Sequence, residues 1–246
     1  MKHVSEWIEQ FRSGACDRTL STIYGEASAA LQRERYCRAL EEFGKLFGRQ
    51  REVSLFSAPG RTEIGGNHTD HNYGRVLAAS VNLDVIAVAA PSEDGRIRVK
   101  SEGYPMDTVM LDHLSPLEEE KGCSSALIRG MADRFAQDGL SIGGFDAYTT
   151  SSVLKGSGLS SSAAFEVLIG TILNHLFNRG GVSAVRVAQM AQYAENRHFG
   201  KPSGLMDQMA SSVGGIIAID FADPANPLIR PVPFDFAATG YHLCIV

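Results

Sequence analysis

No stretch of this 246-residue chain approaches the roughly 20 consecutive apolar residues that a membrane-crossing helix requires. The N-terminus, Met1 to Arg12, holds Glu6, Trp7 and Glu9 and lacks the apolar core of a signal peptide. Cysteine is sparse: Cys16, Cys37, Cys123 and Cys244 stand far apart, with no Cys-x-x-Cys pair. That spacing argues against a disulfide framework or a zinc site and suits a reducing cytosol. Positive charge is not in excess. The 23 Lys and Arg residues against 28 Asp and Glu leave a net charge of −5, so nothing marks a nucleic-acid footprint. Internal repeats, low-complexity segments and clear linkers are also missing. The expectation is a cytoplasmic globular protein with neither a membrane nor a nucleic-acid partner, long enough for one large or two modest domains.

Hydrophobic spacing outlines the elements. Residues 26–48 read as a helix, with Leu40, Phe43 and Phe47 at helical spacing and Arg33, Glu34, Glu41 and Glu42 on a polar face. A strand starts near Glu52, and Val76 to Ala90 is rich in Val, Ala and Ile, as strands are. After the turn at Pro91 to Gly95, the alternating segment Arg96 to Lys100 reads as the partner strand of a hairpin. Asp112 to Gly122 is polar and reads as a loop or short helix. Ser125 to Gln137 reads as helix, Gly144 to Thr150 as strand, and the apolar stretch ending near Phe177 as helix. Ser183 is positioned to cap a helix running to about His198. Leu205 to Val213 reads as a short helix and Ile216 to Phe221 as a strand. Strands cluster early and helices late, which favours α+β over a regular βαβ alternation. Tyr241 to Val246 carries an apolar strand pattern without a terminating signal, so we expect the front part of a longer protein.

Three segments carry chemistry. In the first, Pro59 to Asp70, a guanidinium, a double glycine, an imidazole and a carboxylate follow a strand. Glycines there let backbone approach a ligand, and a turn on a rigid strand is where binding groups collect. In the second, Gly156-Ser157-Gly158-Leu159-Ser160-Ser161-Ser162-Ala163 opens a helix. Consecutive backbone N–H groups and the helix N-terminus make an anion site suited to phosphate. The serine hydroxyls can donate to phosphate oxygens or ligate magnesium, which prefers oxygen. No Gly-Lys-Ser/Thr ends the segment, and Lys155 precedes the glycines, so it is not a Walker A loop. A plain flexible Gly/Ser turn is the competing reading. The third runs from Ala194-Glu195-Asn196-Arg197-His198 to Gly204-Leu205-Met206-Asp207-Gln208. Asp207 falls in the first turn of a helix, where the dipole favours a carboxylate and a nearby guanidinium would lower its pKa further. A lone aspartate there equally reads as a helix cap.

Taken together and in this order, the three segments resemble the signature of the galactokinases, a branch of the GHMP small-molecule kinases, over roughly residues 50–222. The second resembles the GHMP phosphate motif, with Leu154 where relatives carry proline, and the third shares the Met-Asp-Gln core, with Ser203 where many carry cysteine. The resemblance implies an α+β fold, the ribosomal protein S5 domain 2-like GHMP kinase N-terminal domain, with a mixed sheet and packed helices. It divides the chain into an N-terminal helical segment (1–49), that domain (50–222), and the start of a C-terminal half that is mostly absent (223–246). It implies an ATP- and magnesium-dependent kinase acting on the anomeric hydroxyl of galactose. Asp207 is then the catalytic carboxylate and Arg61 its partner. Asn67, His68, Asp70 and Gly204 form the sugar site. Gly156, Ser157, Gly158, Leu159, Ser160 and Ser161 cradle the phosphates, and Ser162 and Glu195 hold the metal.

One departure matters for specificity. Relatives read Gly-Glu-His-Thr-Asp in the first segment, where this chain has Gly66-Asn67-His68-Thr69-Asp70. Asn67 is uncharged and donates as well as accepts. It keeps open a related sugar, N-acetylgalactosamine or arabinose, or a non-catalytic sugar- or nucleotide-binding regulator. His71 also replaces a common tyrosine. Two patterns mislead. Gly139-Leu140-Ser141-Ile142-Gly143 matches the Gly-x-Ser-x-Gly of serine hydrolases, but a helix precedes it and a strand follows, the reverse of what that elbow needs. His68-Thr69-Asp70-His71 suggests a metal hydrolase, but no second His/Asp group completes a site.

Overall fold

Apolar residues run unbroken from Val85 to Ala90, a pattern that belongs to a strand buried on both faces. The computed structural model describes residues 1–154, 156–241 and 244, and it places that run at the centre of the molecule. Strands β2 (Glu52–Gly65) and β3 (Arg75–Ser92) pair antiparallel along most of their length. Successive β3 side chains alternate between faces. Val85, Ala87 and Ala89 join one apolar core; Ile86, Val88 and Ala90 join another.

Around this pair the sheet is mixed, with eight strands among the described residues. The others are β1 (Lys2–His3), β4 (Arg96–Ser101), β5 (Met106–Met110), β6 (Gly144–Ser151), β7 (Ile216–Asp220) and β8 (Leu228–Pro231). Their order is β1-β2-β3-β6-β4-β5. Strand β3 is forked: Val85 to Ser92 pairs with β6, whereas Arg75 to Ala79 pairs with β7, which in turn pairs with β8.

Helices cover both faces. On one side lie α1 (Val4–Arg12), α2 (Asp17–Tyr24) and α3 (Ala29–Phe47), which bring Phe11, Tyr24, Leu40 and Phe43 onto Ile86, Val88 and Tyr148. On the other lie α4 (Ser124–Gln137), α5 (Ser161–Asn178) and α6 (Ala184–Tyr193), with Met131, Phe135, Leu168 and Ile172 packed against Val85, Ala87, Ile97 and Phe145. A third cluster joins α7 (Met206–Val213) to β7 through Met206, Met209, Ile217 and Ile219. No helix among the described residues is long and apolar enough to cross a membrane.

A buried polar network pins the first helical layer to the sheet. Asp84 of β3 accepts from Arg35 Nη1 of α3 (2.6 Å), from the Tyr24 hydroxyl of α2 (2.6 Å) and from Ser57 Oγ of β2 (2.5 Å). Arg35 also donates to the carbonyls of Asp84 and Thr150. Burial, together with the neighbouring Tyr36 and Asp84, pushes the Tyr24 hydroxyl far up, so it stays protonated and donates.

The mixed α+β architecture agrees with the expectation from sequence, and two local expectations are corrected. Arg96 to Lys100 is not the hairpin partner of β3: β4 pairs parallel with β6 and antiparallel with β5. Strand β6, buried from Gly144 to Thr150, takes the central place between β3 and β4, and Gly144 lets it pass close to the Arg96 carbonyl, which a Cβ would approach to 2.7 Å. The helix expected to reach His198 is α-helical only to Tyr193, and Ala194–Phe199 forms a π-helical turn. Ser183 does cap α6, its side chain accepting from the Arg186 N–H. Elements α1, α2, β1, β5 and β8 were not foreseen from their patterns, each being short. The strand expected over residues 241–246 falls on positions that are mostly outside those described.

Candidate active site

The bulge in β2 sets the site's first component. The register between β2 and β3 shifts between Pro59 and Arg61. Proline has no N–H for the ladder, and a bulge re-aims the side chain that follows it. Gly60 lies so near the phosphate-type loop that a Cβ there would stand 2.9 Å from the Leu159 carbonyl and 3.2 Å from Val153. The Arg61 N–H donates to that same carbonyl at 3.0 Å. The side chain then reaches across to α7. Arg61 Nε and Nη2 each donate to one oxygen of Asp207 at 2.6 Å, a two-pronged guanidinium–carboxylate pair. Its remaining Nη1 donates to the Gly158 carbonyl at 2.5 Å.

The glycine–serine loop enters the same cluster. Gly156 and Gly158 adopt positive φ, and so does Ser160, an unusual conformation for a residue with a side chain. Ser160 precedes α5, and its hydroxyl donates to Asp207 Oδ2 at 2.5 Å. Leu159 buries its side chain in the core, and Ser157 Oγ donates to the Leu154 carbonyl, so both offer a phosphate their backbone alone. The first-turn N–H groups of α5, an 18-residue helix, face the loop with the positive end of the dipole. Burial pushes the Asp207 carboxyl up. The Arg61 hydrogen bonds and charge, with the Ser160 hydroxyl, overcome this and hold it below the usual carboxylate range.

The first segment continues into a left-handed turn at Asn67 and His68. His68 is held by Glu63, whose carboxylate accepts from the His68 N–H at 3.0 Å and lies 3.3 Å from Nε2. Asp70 Oδ2 accepts from the Met206 N–H at 3.1 Å and so fixes the start of α7. Its Oδ1 is buried and has no hydrogen-bond partner among the described residues. Gly204 is required beside it, because a Cβ there would overlap the Asp70 carboxylate. Asp70 and Gly204 are therefore in contact, and both adjoin the helix that carries Asp207. Asn67 is exposed, and no hydrogen bond to its side chain occurs among the described residues.

Ser162 and Glu195 also meet. Ser162 Oγ, on the first turn of α5, donates to Glu195 Oε1 at 3.2 Å. Glu195 sits on the π-helical turn, a distortion common at functional positions. Its other oxygen accepts from Gln208 Nε2 at 2.7 Å, and Lys201 Nζ donates to Oε1 at 2.9 Å. Behind them, Glu166 is fully buried and accepts from Gln208 at 3.2 Å. Burial, and then the Glu195 charge, push the Glu166 carboxyl well above the usual carboxylate range. Hydroxyl and carboxylate oxygens are the donors a hard divalent cation prefers. No cluster of three or more His, Cys, Asp or Glu that could hold a metal occurs among the described residues. A two-ligand protein site of this kind suits magnesium that keeps water and phosphate as its other ligands. Glu63, Glu166, Lys201 and Gln208 were not singled out from sequence. Ser162 and Glu166 stand four apart on α5, a spacing that places them on one helix face and could have flagged the second carboxyl.

Comparison with known proteins follows this geometry. Residues 41–91 match the galactokinase galactose-binding signature, and residues 126–215 match the GHMP kinases N terminal domain. Together the two matches span more than half of the chain. The chain is 35% identical over 178 residues to the galactokinase of Lactococcus lactis subsp. lactis, covering 72% of this chain and 44% of that protein. It is 34% identical over 211 residues to the galactokinase of Streptomyces coelicolor, covering 84% of this chain and 53% of that one. Its structure is similar to that of Lactococcus lactis galactokinase complexed with galactose, with a TM-score of 0.71 and 31% identity, over 78% of this chain and 50% of that one. The chain thus spans about half the length of these relatives.

Proposed function

This chain belongs to the GHMP kinases and carries the galactokinase galactose-binding signature, and on that footing we propose that it acts as an ATP-dependent sugar 1-kinase, with galactose as acceptor. The observation that carries this reading is the convergence on Asp207: a two-pronged guanidinium from β2 and a hydroxyl from the phosphate-type loop bond one carboxylate. A carboxylate held ionised at the edge of an anion site is what a sugar hydroxyl needs beside it when a phosphoryl group is to be accepted.

In this mechanism the loop from Gly156 to Ser161 and the N-terminus of α5 hold the phosphates of ATP through backbone N–H groups. Asp70 Oδ1, buried and without a partner, accepts from a sugar hydroxyl, and His68 bonds a second one. Asn67 and Gly204 shape the rest of that pocket. Asp207 orients the anomeric hydroxyl and takes its proton as the O–P bond forms and the bond to ADP breaks. Arg61 keeps Asp207 ionised and balances charge on the moving phosphoryl group. Such transfer asks a protein mostly for alignment and charge stabilisation. Ser162 and Glu195 would hold magnesium, which when bound neutralises phosphate charge. We place this activity in the cytoplasm. The uncharged, exposed Asn67 favours one second reading, the same reaction on N-acetylgalactosamine or arabinose.

The test is magnesium- and ATP-dependent ADP release across galactose, N-acetylgalactosamine, arabinose and glucose. Release with galactose is expected, and Asp207→Asn is expected to lower it by about 10²–10⁴-fold, the usual contribution of a positioned general base. Release with another sugar alone would keep the mechanism and reassign the acceptor. No release from folded protein that binds ATP would overturn the kinase reading in favour of a regulator.

A further inference from the structure

Glu195 is an expensive residue to bury. Its side chain is only 2% exposed, and an ionised carboxylate in that setting needs a compensating charge. Of its three hydrogen-bond donors, Ser162 and Gln208 are neutral. The compensating charge is Lys201, whose ammonium bonds Oε1, the same oxygen that Ser162 reaches. Lys201 is placed there by Glu195 itself: the N–H groups of Gly200 and Lys201 both donate to the Glu195 carbonyl, at 3.0 and 3.2 Å. Pro202 then restricts the chain that follows.

The oxygen shared by Ser162 and Lys201 is also the one a hard cation bound between Ser162 and Glu195 would require. An ammonium and a divalent cation cannot both sit on it, because like charges at that separation repel. The lysine is well suited to leave. Its side chain is 59% exposed, so its stem already lies in water and its release carries little desolvation cost.

We propose that Lys201 is a placeholder cation, which neutralises Glu195 while the site holds no divalent metal and must be displaced before Glu195 can bind one. This rests on the assignment of Ser162 and Glu195 as metal ligands, and the two ideas fail differently. The lysine then sets a threshold: metal, with the nucleotide that carries it, has to outcompete a tethered ammonium.

The experiment is a Mn²⁺ titration followed by electron paramagnetic resonance of the free ion, with a non-hydrolysable ATP analogue present, on the wild-type protein, Lys201→Met, Lys201→Arg and Glu195→Gln. Lys201→Met is expected to bind Mn²⁺ about 3- to 10-fold more tightly, the scale of losing one partly solvated competing charge. Lys201→Arg, which keeps the charge, is expected to bind no more tightly than wild type. Glu195→Gln is expected to weaken Mn²⁺ binding and to erase the effect of Lys201→Met when the two are combined. Unchanged or weaker binding in Lys201→Met, with Glu195→Gln still weakening it, would overturn the placeholder and leave the metal assignment standing. Binding insensitive to Glu195→Gln would overturn both. A structural ion pair alone would change the melting temperature of Lys201→Met without tightening metal binding, and that result also counts against the proposal.

Discussion

Arg61 does three things at once. Its main-chain N–H bonds the Leu159 carbonyl, one guanidinium nitrogen bonds the Gly158 carbonyl, and the other two bond Asp207. Lysine at this position would keep a positive charge but lose the planar fork. We expect Arg61→Lys to lower turnover by about 10²-fold or more, as removal of one aimed donor does in other charge-stabilising sites. The pH profile gives the sharper check. In the proposed mechanism Asp207 acts as the carboxylate, so activity is expected to fall as pH drops through its pKa. That pKa is depressed chiefly because Arg61 outweighs burial. Weakening the pair raises it, and the acid limb of the profile moves to higher pH in Arg61→Lys. An acid limb that stays in place would remove Asp207 from the role of titrating base. At this scale much was legible: the resemblance of the three segments singled out Arg61, Asp207, Ser160, Ser162 and Glu195, and the structure joins Arg61 and Ser160 to Asp207 and Ser162 to Glu195. Lys201 was not legible. A Gly-Lys-Pro-Ser-Gly sequence reads as a turn, and nothing in it shows that the lysine folds back six residues onto a buried glutamate.

Among the elements, the bulge in β2 and the loop ahead of α5 behave as one object. Gly60 is the point of contact, and no positive φ requires glycine there; closeness to the Leu159 carbonyl does. Gly60→Ala should push the loop outward. We expect about 1–3 kcal/mol of destabilisation, the usual range for overpacking a tight site, measured by urea unfolding, together with weaker nucleotide binding. Unchanged stability and nucleotide affinity would mean the loop yields freely and that its position is not set by β2. Element type was largely readable from periodicity. Pairing was not, because the sequence places β4 next to β3 along the chain, whereas β6, buried on both faces, has the stronger claim to the space between them. The π-helical turn was invisible for a similar reason: its residues keep helical spacing, and only the added residue in the turn distinguishes it.

Over the whole molecule, three layers depend on charges buried beneath α2 and α3. The Arg35 and Asp84 side chains are 9% and 3% exposed. Asp84→Ala would leave Arg35 buried without its partner, and the loss of one member of such a pair costs about 3–5 kcal/mol. Chemical denaturation should show that loss. A change near zero would mean that the first helical layer is held by apolar packing alone. The first 49 residues offered no motif, and their role becomes visible only once Arg35 and Tyr24 are seen to bond a residue of β3.

The fork that ties Arg61 to Asp207 joins positions 146 residues apart, which gives the site a history during synthesis. At about 5–20 residues per second, roughly 7–30 s separate the emergence of its two halves from the ribosome. By the time β2 and β3 appear, α1 to α3 are already made and one side of the sheet can be clothed. The opposite side, where α4 to α6 belong, stays bare until those helices follow, and α7 arrives after them. The newborn chain therefore carries an exposed apolar surface while it grows, and the Arg61–Asp207 fork closes only after the helices that cover that face have been made.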